Sequence, residues 1–561
     1  MSRPLRRIAG LLAVVVGMSA LAACGGIPLS SDPVSGPEIT DEVDVSIGFS
    51  PQGPRKGATQ EEIVTNFVLA ATNPQNDYRL SRSFLAEGFA EQWDPDAGVS
   101  LRSGAGTPFT ISETRVDYSF RSAASVNRAG QYKQERDSAN VNLSFSFVKQ
   151  GGEWRIADAP AGIVLLEDNF AQVFREHALY FFDPSFKYLV PDLRWFPNRA
   201  DISTRVVSSL LAGPSTWYGN GILLSAFPAG TVVGEGRVSV ESGLATVDLS
   251  DVASSANQRD RERMRQQLSA SLSSLASVTN VAVTVEGSPL TIPDSGGSAA
   301  STSLQVNPSP LVRKGNDFGF INKDEITPIG QLSAKVIDID GIAGTLSRDG
   351  STMAVLASGG VWAVRPGKIA PLRVDERSGL VAPSIDTFGF IWSVPRSSAR
   401  GLRVFDLEGN RQDLLQTLPA DARVVSLDVS RDGARLLLYV ITPGGPRLLM
   451  AGIIRQESAP TTLGELVDLP VGSATPIDAA WMDDRTVATL SGSGEDTTVS
   501  TWMIGGPSEN LGTVPGGQSI VGGNGGEDGL RVLTTGGELY FPRGTVWQGT
   551  GSSGTFVATQ Q

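Results

Sequence analysis

The stretch Leu346-Ser-Arg-Asp-Gly-Ser-Thr-Met-Ala-Val-Leu356 recurs in degenerate form through the C-terminal half of the chain, most clearly as Val429-Ser-Arg-Asp-Gly-Ala-Arg-Leu-Leu-Leu438. Each copy joins an aspartate-bearing turn to an apolar strand, and further copies begin at Pro383, Trp481 and Glu527. The recurrent aspartates are Asp349, Asp386, Asp432, Asp484 and Asp528. Their spacing is about the length of a four-stranded propeller blade. The repeat therefore predicts an all-β propeller of five or six blades.

Two interpretations exist for these aspartates. Sugar hydrolysis needs two carboxylates a defined distance apart, and two acids meeting in a propeller channel would provide them. A residue that returns in every blade instead serves what every blade shares. We therefore interpret the aspartates as turn residues that accept hydrogen bonds from nearby backbone amides.

The repeats occupy the last of three predicted domains, residues 311–561. Before the first full copy, Phe318-Gly-Phe-Ile-Asn-Lys-Asp-Glu-Ile326 resembles a blade hairpin that lacks the aspartate-bearing turn. We expect this hairpin to close the ring with C-terminal strands. Residues 294–310 are rich in Ser, Gly, Pro and Ala, a composition typical of a linker.

A second α+β domain is predicted for residues 177–293. Ile202 to Leu211 has the pattern of a helix closed by Gly213-Pro214, and a longer helix is predicted from Gln258 to Val278. The longer helix carries one apolar stripe, which we assign to the core rather than to a cofactor site. The residues of the stripe are Met264, Leu268, Leu272 and Leu275.

Residues 58–176 are predicted to form a first α+β domain. Thr59 followed by Glu62 is a capping box that begins a helix. From Asn140 to Phe147 polar and apolar residues alternate with the period of a strand that has one buried face. Helices on a curved antiparallel sheet resemble the cone of nuclear-transport-factor-like (NTF2-like) domains.

The N-terminal residues have the three regions of a secretory signal. Arginines precede an apolar run from Ile8 to Ala23 that is too short for a comfortable membrane span. Leu21, Ala22, Ala23 and Cys24 resemble the lipobox of bacterial lipoproteins, and Cys24 is the only cysteine of the chain. We predict a signal peptide over residues 1–23 and lipidation of Cys24, the alternative being an ordinary signal with an incidental cysteine.

The charge of the chain limits its partners. The formal net charge is −13 at pH 7 and becomes more negative once the signal arginines are removed. Nucleic acid is therefore not expected as a partner, and an anionic membrane would repel the body. Membrane attachment would depend on the lipid and on residues 24–57, whose Gly, Pro, Ser and acidic composition favours a flexible tether.

Enzyme chemistry has little support in the sequence. His177 is the only histidine, and we interpret Arg175-Glu176-His177 as a solvated segment between two domains. A zinc site of several imidazoles or a serine, histidine and acid triad would have only this one candidate. No glycine-rich nucleotide loop precedes a helix either. We expect no catalytic residue, no cofactor and no metal site.

Two resemblances follow from these motifs. Leu210-Leu-Ala-Gly-Pro214, Ser225-Ala-Phe-Pro-Ala-Gly230, Ala245-Thr-Val-Asp-Leu-Ser250 and the run from Val281 to Gly287 resemble a GerM domain, a binding module of bacterial envelopes. The order of lipobox, tether, cone-like domain, GerM domain and propeller resembles the LpqB family of actinobacterial lipoproteins.

The second resemblance implies a function. It implies an accessory protein on the outer face of the cytoplasmic membrane, which contacts the extracytoplasmic domain of an MtrB-like sensor kinase in an MtrAB-type two-component system and affects envelope homeostasis and division. An alternative from another class is a protein that binds or hydrolyses cell-wall glycan. The propeller would then present its loops to that glycan.

Overall fold

The computed structural model describes residues 52–219, 221–234, 237–292, 299–302, 305–367, 369–494, 496–523 and 526–561. The predicted signal and lipobox, including Leu21, Ala22, Ala23 and Cys24, lie outside the described residues. Over the part of the chain that is described, no helix is both long and apolar enough to cross a membrane.

The first domain packs helices against a seven-stranded sheet. Its sheet order is β6-β5-β3-β1-β7, with β2 and β4 pairing to the long strand β3. Its helices are α1 Gln60–Ala70, α2 Gln75–Arg82, α3 Phe89–Gln92 and α4 Glu167–Val173. Its strands are β1 Gly98–Arg102, β2 Thr107–Ser112, β3 Arg115–Asn127, β4 Tyr132–Gln134, β5 Asn140–Gln150, β6 Glu153–Asp158 and β7 Ile163–Leu166.

Local sequence signals set this domain's elements. The capping box of α1 is confirmed, because the Thr59 hydroxyl accepts the Glu62 N–H at 3.2 Å and the Glu62 carboxylate accepts the Thr59 N–H at 2.8 Å. The predicted alternation in β5 is also confirmed, with Phe145 and Phe147 buried in the core beneath the sheet.

The second domain combines a hairpin, two helices and a small mixed sheet. Its sheet order is β10-β11-β12-β13, in which β11 and β12 run parallel. Its strands are β8 Phe174–Phe182, β9 Leu189–Pro197, β10 Ser239–Glu241, β11 Leu244–Leu249, β12 Asn280–Val285 and β13 Ser288–Pro289. Its helices are α5 Ile202–Leu211 and α6 Gln258–Leu272. The apolar stripe of α6 is buried as predicted, but the helix ends six residues before the predicted Val278.

In the described residues the third domain forms four four-stranded sheets and one eight-stranded sheet. The short helix α7 Gly330–Asp338 lies between the first and second sheets. The strands of the first are β14 Leu311–Lys314, β15 Asp317–Asn322 and β16 Glu325–Thr327, joined by the last strand of the chain. The next three sheets are β17 Ala343–Leu346, β18 Met353–Ala357, β19 Gly360–Val364, β20 Leu372–Asp375; β21 Ser384–Ile385, β22 Ile391–Ser393, β23 Arg403–Phe405, β24 Arg411–Gln412; and β25 Arg423–Val429, β26 Arg435–Thr442, β27 Gly445–Gln456, β28 Ala459–Leu469. The remaining strands are β29 Pro476–Trp481, β30 Thr486–Ser493, β31 Asp496–Met503, β32 Ser508–Pro515, β33 Gly517–Val521, β34 Arg531–Thr534, β35 Glu538–Arg543, β36 Val546–Ser553 and β37 Phe556–Ala558.

These sheets close into a propeller. The innermost strands β17, β21, β25, β29, β33 and β37 contact one another in that order, and β37 returns to β17. The predicted hairpin forms β15 and β16 and belongs to the blade that closes the ring, but the strand that pairs with the C-terminal β37 is the preceding β14, through Leu311 and Ala558. The last two blades are joined by one parallel pair, Thr513 with Val546. Among the described residues the propeller therefore has six blades, the upper of the two predicted numbers.

Carboxylates on the innermost strands connect neighbouring blades. Asp428 on β25 accepts the N–H of Trp481 on β29 at 3.2 Å, and Asp478 on β29 accepts the N–H of Ile520 on β33 at 2.9 Å. The side-chain amide of Gln561 also donates to Asp428, at 2.7 Å. Burial raises the pKa of Asp428 to about 6 and that of Asp478 to about 7.

Candidate functional site

The hairpin of β8 and β9 joins the three domains. The predicted boundary at residues 176 and 177 falls inside β8, so the first two domains share this hairpin. All nine residues of β9 are buried. Trp195 of β9 packs on Tyr132 and Phe170 of the first domain, and its indole N–H donates to Gly505 O in the propeller at 2.8 Å. One side chain therefore contacts both neighbours of the second domain.

The interpretation of His177 as part of a solvated segment is wrong. It lies on β8 and is only 5% exposed, with Nδ1 3.1 Å from the Ser274 hydroxyl and its ring near that of Phe196. Burial lowers the pKa of His177 to about 4 because the charged imidazole would lose its hydration. The pairing of β8 with β9 explains the error, since local polarity does not reveal a strand shared between two cores.

A side-chain contact fixes the second domain on the propeller. Ile222 is 1% exposed and lies over two glycines of one blade, Gly452 and Gly464. Beside it, the guanidinium of Arg435 pairs with Asp432 and lies 3.5 Å from the hydroxyl of Tyr218. Arg435 is thus buried between the domains with its charge paired.

A cavity of about 420 Å³ lies where the three domains meet. The first domain contributes its β4 segment, the second contributes β9 and the loop at Ser215, and the propeller contributes parts of two blades. The lining residues are Gln131–Gln134, Pro191–Leu193, Ser215–Tyr218, Met450, Val467–Pro470 and Trp502–Gly506. Because these segments come from distant parts of the sequence, the cavity exists only when the domains are assembled.

One wall of the cavity contains a buried ion pair. The Asp192 carboxylate accepts hydrogen bonds from the Ser215 N–H at 2.6 Å and from the Ser215 hydroxyl at 2.7 Å. It also lies 2.9 Å from a guanidinium nitrogen of Arg194. Burial raises the pKa of Asp192, and Arg194 and Ser215 oppose that rise. The charge of Asp192 is thus satisfied within the protein.

Asp468 belongs to the part of the cavity lining that the propeller contributes. Its Oδ2 is 2.6 Å from Arg136 of the first domain and 2.9 Å from Arg447 of the same blade. Its Oδ1 is buried and has no hydrogen-bond partner among the described residues. Because Oδ1 has almost no accessible surface, it lies within the packed wall and a group in the cavity cannot reach it.

The recurrent aspartates divide into two groups. Asp349, Asp386 and Asp432 accept backbone N–H groups of their own turns, which confirms their predicted role. Asp484 and Asp528 accept no turn N–H in the part of the chain that the structure describes, so the prediction is wrong at these two positions. In the fourth copy Asp483, and not Asp484, accepts two turn amides, at 2.8 and 2.7 Å, and in the fifth copy Asp528 lies in a short 3-10 helix. A one-residue shift of register cannot be read from a degenerate repeat.

Asp386 also has a role that the repeat did not predict. Its Oδ2 accepts the Trp392 indole N–H at 2.9 Å and pairs with Arg455 at 2.7 Å. Arg455 belongs to the next blade, so this turn carboxylate also joins two blades. The repeat marks the turn but not the partner, which lies 69 positions away.

Family models match the chain in three consecutive segments. Residues 53–171 match the model described as "Lipoprotein LpqB, N-terminal domain", residues 178–291 match "Sporulation and spore germination", and residues 320–551 match "Lipoprotein LpqB beta-propeller domain". The two LpqB models together cover more than half of the chain. The chain belongs to the lipoprotein LpqB family.

Relatives in the LpqB family match along most of their length. Lipoprotein LpqB of Cutibacterium acnes is 24% identical over 87% of this chain and 86% of its own. Lipoprotein LpqB of Streptomyces coelicolor is 26% identical over 84% of this chain and 83% of its own. Lipoprotein LpqB of Rhodococcus jostii is 31% identical over 36% of this chain and 34% of its own. Membership of this family implies a membrane-anchored lipoprotein, and none of these three relatives is named for a catalytic activity.

Two solved structures are similar to parts of this LpqB family member. The first GerMN domain of the sporulation protein GerM from Bacillus subtilis is 23% identical, with a TM-score of 0.19 over 23% of this chain and 94% of that chain. TolB from Acinetobacter baumannii is 14% identical, with a TM-score of 0.32 over 44% and 62%.

None of the cavity residues was predicted from the sequence as a site. The sequence prediction placed functional residues only at Leu21, Ala22, Ala23 and Cys24, which lie outside the described residues. Within the described residues no group of three or more His, Cys, Asp or Glu side chains could hold a metal ion. No local sequence signal marks Asp468, because its two ion-pair partners, Arg136 and Arg447, come from different domains.

Proposed function

We propose that the protein is an accessory modulator of an MtrB-like membrane sensor kinase, held on the outer face of the cytoplasmic membrane by lipid on Cys24. The family implies the lipid anchor, and the lipobox pattern supplies the residue. A shared membrane raises the effective concentration of two tethered partners, so a weak contact between them is sufficient. The proposed partner surface is the extracytoplasmic domain of the kinase.

The observation that carries the proposal is an exposed apolar patch on the first domain. Phe109 is 38% exposed, Ile111 52% and Val148 40%. Phe109 is in register with Asp117, and Asp117 with Ser144 on the next strand. We call Phe109, Ile111 and Val148 the outer patch.

The outer patch has the features of a protein contact. In β3 and β5 the outward residues alternate with buried ones, so Phe109 and Val148 lie on the face turned away from the core. The half-exposed Arg115 and its partner Asp117 lie beside the patch and give it a polar border. Exposed apolar side chains on one sheet face, beside a charged pair, are a feature of interaction surfaces.

Binding rather than catalysis is the activity we propose. Asp428 and Asp478 are the two carboxylates of the innermost strands that most resemble a pair of catalytic acids in a propeller channel. Both are buried and accept N–H groups of the neighbouring innermost strand. These bonds support a blade-joining role.

The test measures binding of the full chain to the intact kinase in lipid nanodiscs. The double variant Phe109→Ser, Ile111→Ser removes two exposed apolar contacts and is expected to weaken binding at least tenfold, roughly the loss of two moderate interface residues. The matched control is Ile342→Ser, Val546→Ser, which changes two apolar residues on the propeller that are more exposed than Phe109 and Ile111.

The outcomes test the proposed binding surface and the proposed partner separately. Equal weakening by both double variants would refute the outer patch as the contact. If the unmodified chain does not bind the kinase at any concentration tested, the accessory function is wrong.

A further inference from the structure

We propose that residues 43–49 of this chain add as an extra strand to the free edge of β4, in the cavity between the three domains. We call these residues the tether segment, and they lie outside the described residues. The inference does not depend on the proposed kinase contact. It rests on the unpaired edge of β4, on the apolar lining of the cavity and on the sequence of the tether segment.

One edge of β4 has backbone groups without partners. Among the described residues β4 pairs only with β3, and the Gln131 carbonyl and the Glu135 N–H bond to β3 at 3.1 and 2.9 Å. Because antiparallel strands bond to each other at every second residue, the N–H and C=O groups of Tyr132 and Gln134 point to the opposite, free edge. No other described residue is hydrogen-bonded to these four groups.

The free edge of β4 belongs to the cavity, since residues 131–134 line it. Backbone N–H and C=O groups that have neither water nor a protein partner are costly, so these groups require an occupant. An extended peptide satisfies all four at once, because its own backbone groups alternate with the same spacing. Addition of a strand to an exposed sheet edge is a common mode of peptide recognition.

The rest of the lining offers mainly apolar contact. The Gln131 amide donates to the Ser215 hydroxyl at 3.1 Å, and the Gln134 amide donates to the Ser508 hydroxyl at 3.0 Å, so both polar side chains already have partners. The half-buried apolar residues of the lining are Trp217, Val467, Pro470 and Met503. The cavity therefore suits a strand whose side chains are apolar on one face.

The tether segment has the pattern of such a strand. It reads Val43-Asp-Val-Ser-Ile-Gly-Phe49, in which apolar residues alternate with Asp44, Ser46 and Gly48. In an added strand this alternation places the apolar side chains on one face and Asp44 on the other. Lys133 of β4 is exposed at the cavity, and opposite charges on neighbouring strands stabilise their pairing.

The start of the first domain brings the tether segment within reach of β4. The seven residues that lead from Val45 to Gln52, the first described residue, span up to about 25 Å. Gly53 lies beside the C-terminal end of α2, and the first residue of α2 donates to Asn198 O at 3.2 Å, directly after β9. β9 in turn packs on β4. Because covalent linkage gives an effective concentration on the order of millimolar, pairing over a few residues is sufficient.

The test is hydrogen exchange on the full chain in detergent, resolved to single residues by fragmentation in a mass spectrometer. The added strand protects the N–H groups of Tyr132 and Gln134, whereas the Lys133 N–H bonds to β3 with or without it. The double variant Val45→Pro, Ile47→Pro lacks two N–H groups and cannot pair as a strand. In this variant the Tyr132 and Gln134 amides should exchange at least about tenfold faster than in the unmodified chain, with the Lys133 amide unchanged.

Ser35→Pro is the matched control, because it places a proline before the tether segment and should leave all three exchange rates unchanged. Equal rates at Tyr132 and Gln134 in the unmodified chain and in the double variant, whether fast or slow, would overturn the proposal, since the segment would then not cover this edge. Protection that disappears on dilution would also overturn it, because a second copy of the chain would then supply the strand.

A synthetic peptide of residues 41–49 provides an independent measurement. Added to the double variant at millimolar concentration, it should restore the protection of the Tyr132 and Gln134 amides, and the same peptide with proline at positions 45 and 47 should not. Failure of the first peptide, or equal protection by both peptides, would contradict recognition through strand pairing.

Discussion

Replacing Gly452 by alanine should loosen the second domain from the propeller. A Cβ atom built on Gly452 lies 2.8 Å from Cγ2 and 3.0 Å from Cγ1 of Ile222, closer than side-chain carbons normally approach. Ile222 is 1% exposed and has little room to move. Overpacking of a well-packed contact costs about 1–3 kcal/mol. Because several atoms clash at once, we expect about 2–3 kcal/mol.

Two substitutions separate the clash from other effects of alanine. Gly472→Ala is the matched control, since its Cβ meets no atom within 4 Å and should change the free energy of unfolding by less than about 0.5 kcal/mol. Ile222→Ala removes the clashing atoms and costs about 2–5 kcal/mol by itself. In that background Gly452→Ala should cost little, so the double variant should be at least about 1 kcal/mol more stable than additivity predicts.

The assay is equilibrium urea unfolding followed by tryptophan fluorescence, with hydrogen exchange over residues 218–227 as a local measure. A shift of the transition midpoint at constant slope reports a change in stability. An additive pair, in which Gly452→Ala costs the same with and without the Ile222 side chain, would refute the argument. Gly464→Ala provides a second reading of the same contact, because its Cβ lies 2.6 Å from Ile222 Cδ1.

Two further predictions concern buried carboxylates. Burial raises the pKa of Asp478 from 3.8 to about 7, so the native state retains a proton that the unfolded state has lost. The contribution of Asp478 to stability therefore falls as pH rises from about 4 to 7, by up to ~1.4 kcal/mol per pH unit; in urea unfolding Asp478→Asn should flatten this fall, and an unchanged profile would contradict the reasoning. Asp386→Asn leaves the charge of buried Arg455 unpaired and should cost about 3–5 kcal/mol, measured by the same unfolding experiment. Asp528 is at the equivalent position of another repeat, and Asp528→Asn should cost less than about 0.5 kcal/mol. If Asp386→Asn and Asp528→Asn lowered the free energy of unfolding equally, the position in the repeat and not the pairing with Arg455 would set the cost.

Local patterns predicted most of the elements. The capping box at Thr59, the alternation in β5 and the stripe on α6 each depend on spacings within a few residues, and each was confirmed. Long-range pairing produced the differences. His177 became a buried strand residue through β9, and α6 ended earlier than its apolar spacing suggested.

The sequence alone determined the three-part order and the propeller. A repeat of one turn and one apolar strand has to pair with its neighbours to bury its faces, so its period sets the blade length. The sequence also placed the proposed lipid anchor, since a lipobox is a local pattern.

Only the tertiary structure decided which groups meet. Asp468 pairs through one carboxylate oxygen with Arg136 of the first domain and with Arg447 of its own blade. The cavity itself needs all three domains in contact. Burial, charge pairing and shape depend on distances between residues hundreds of positions apart, and no local spacing encodes those distances.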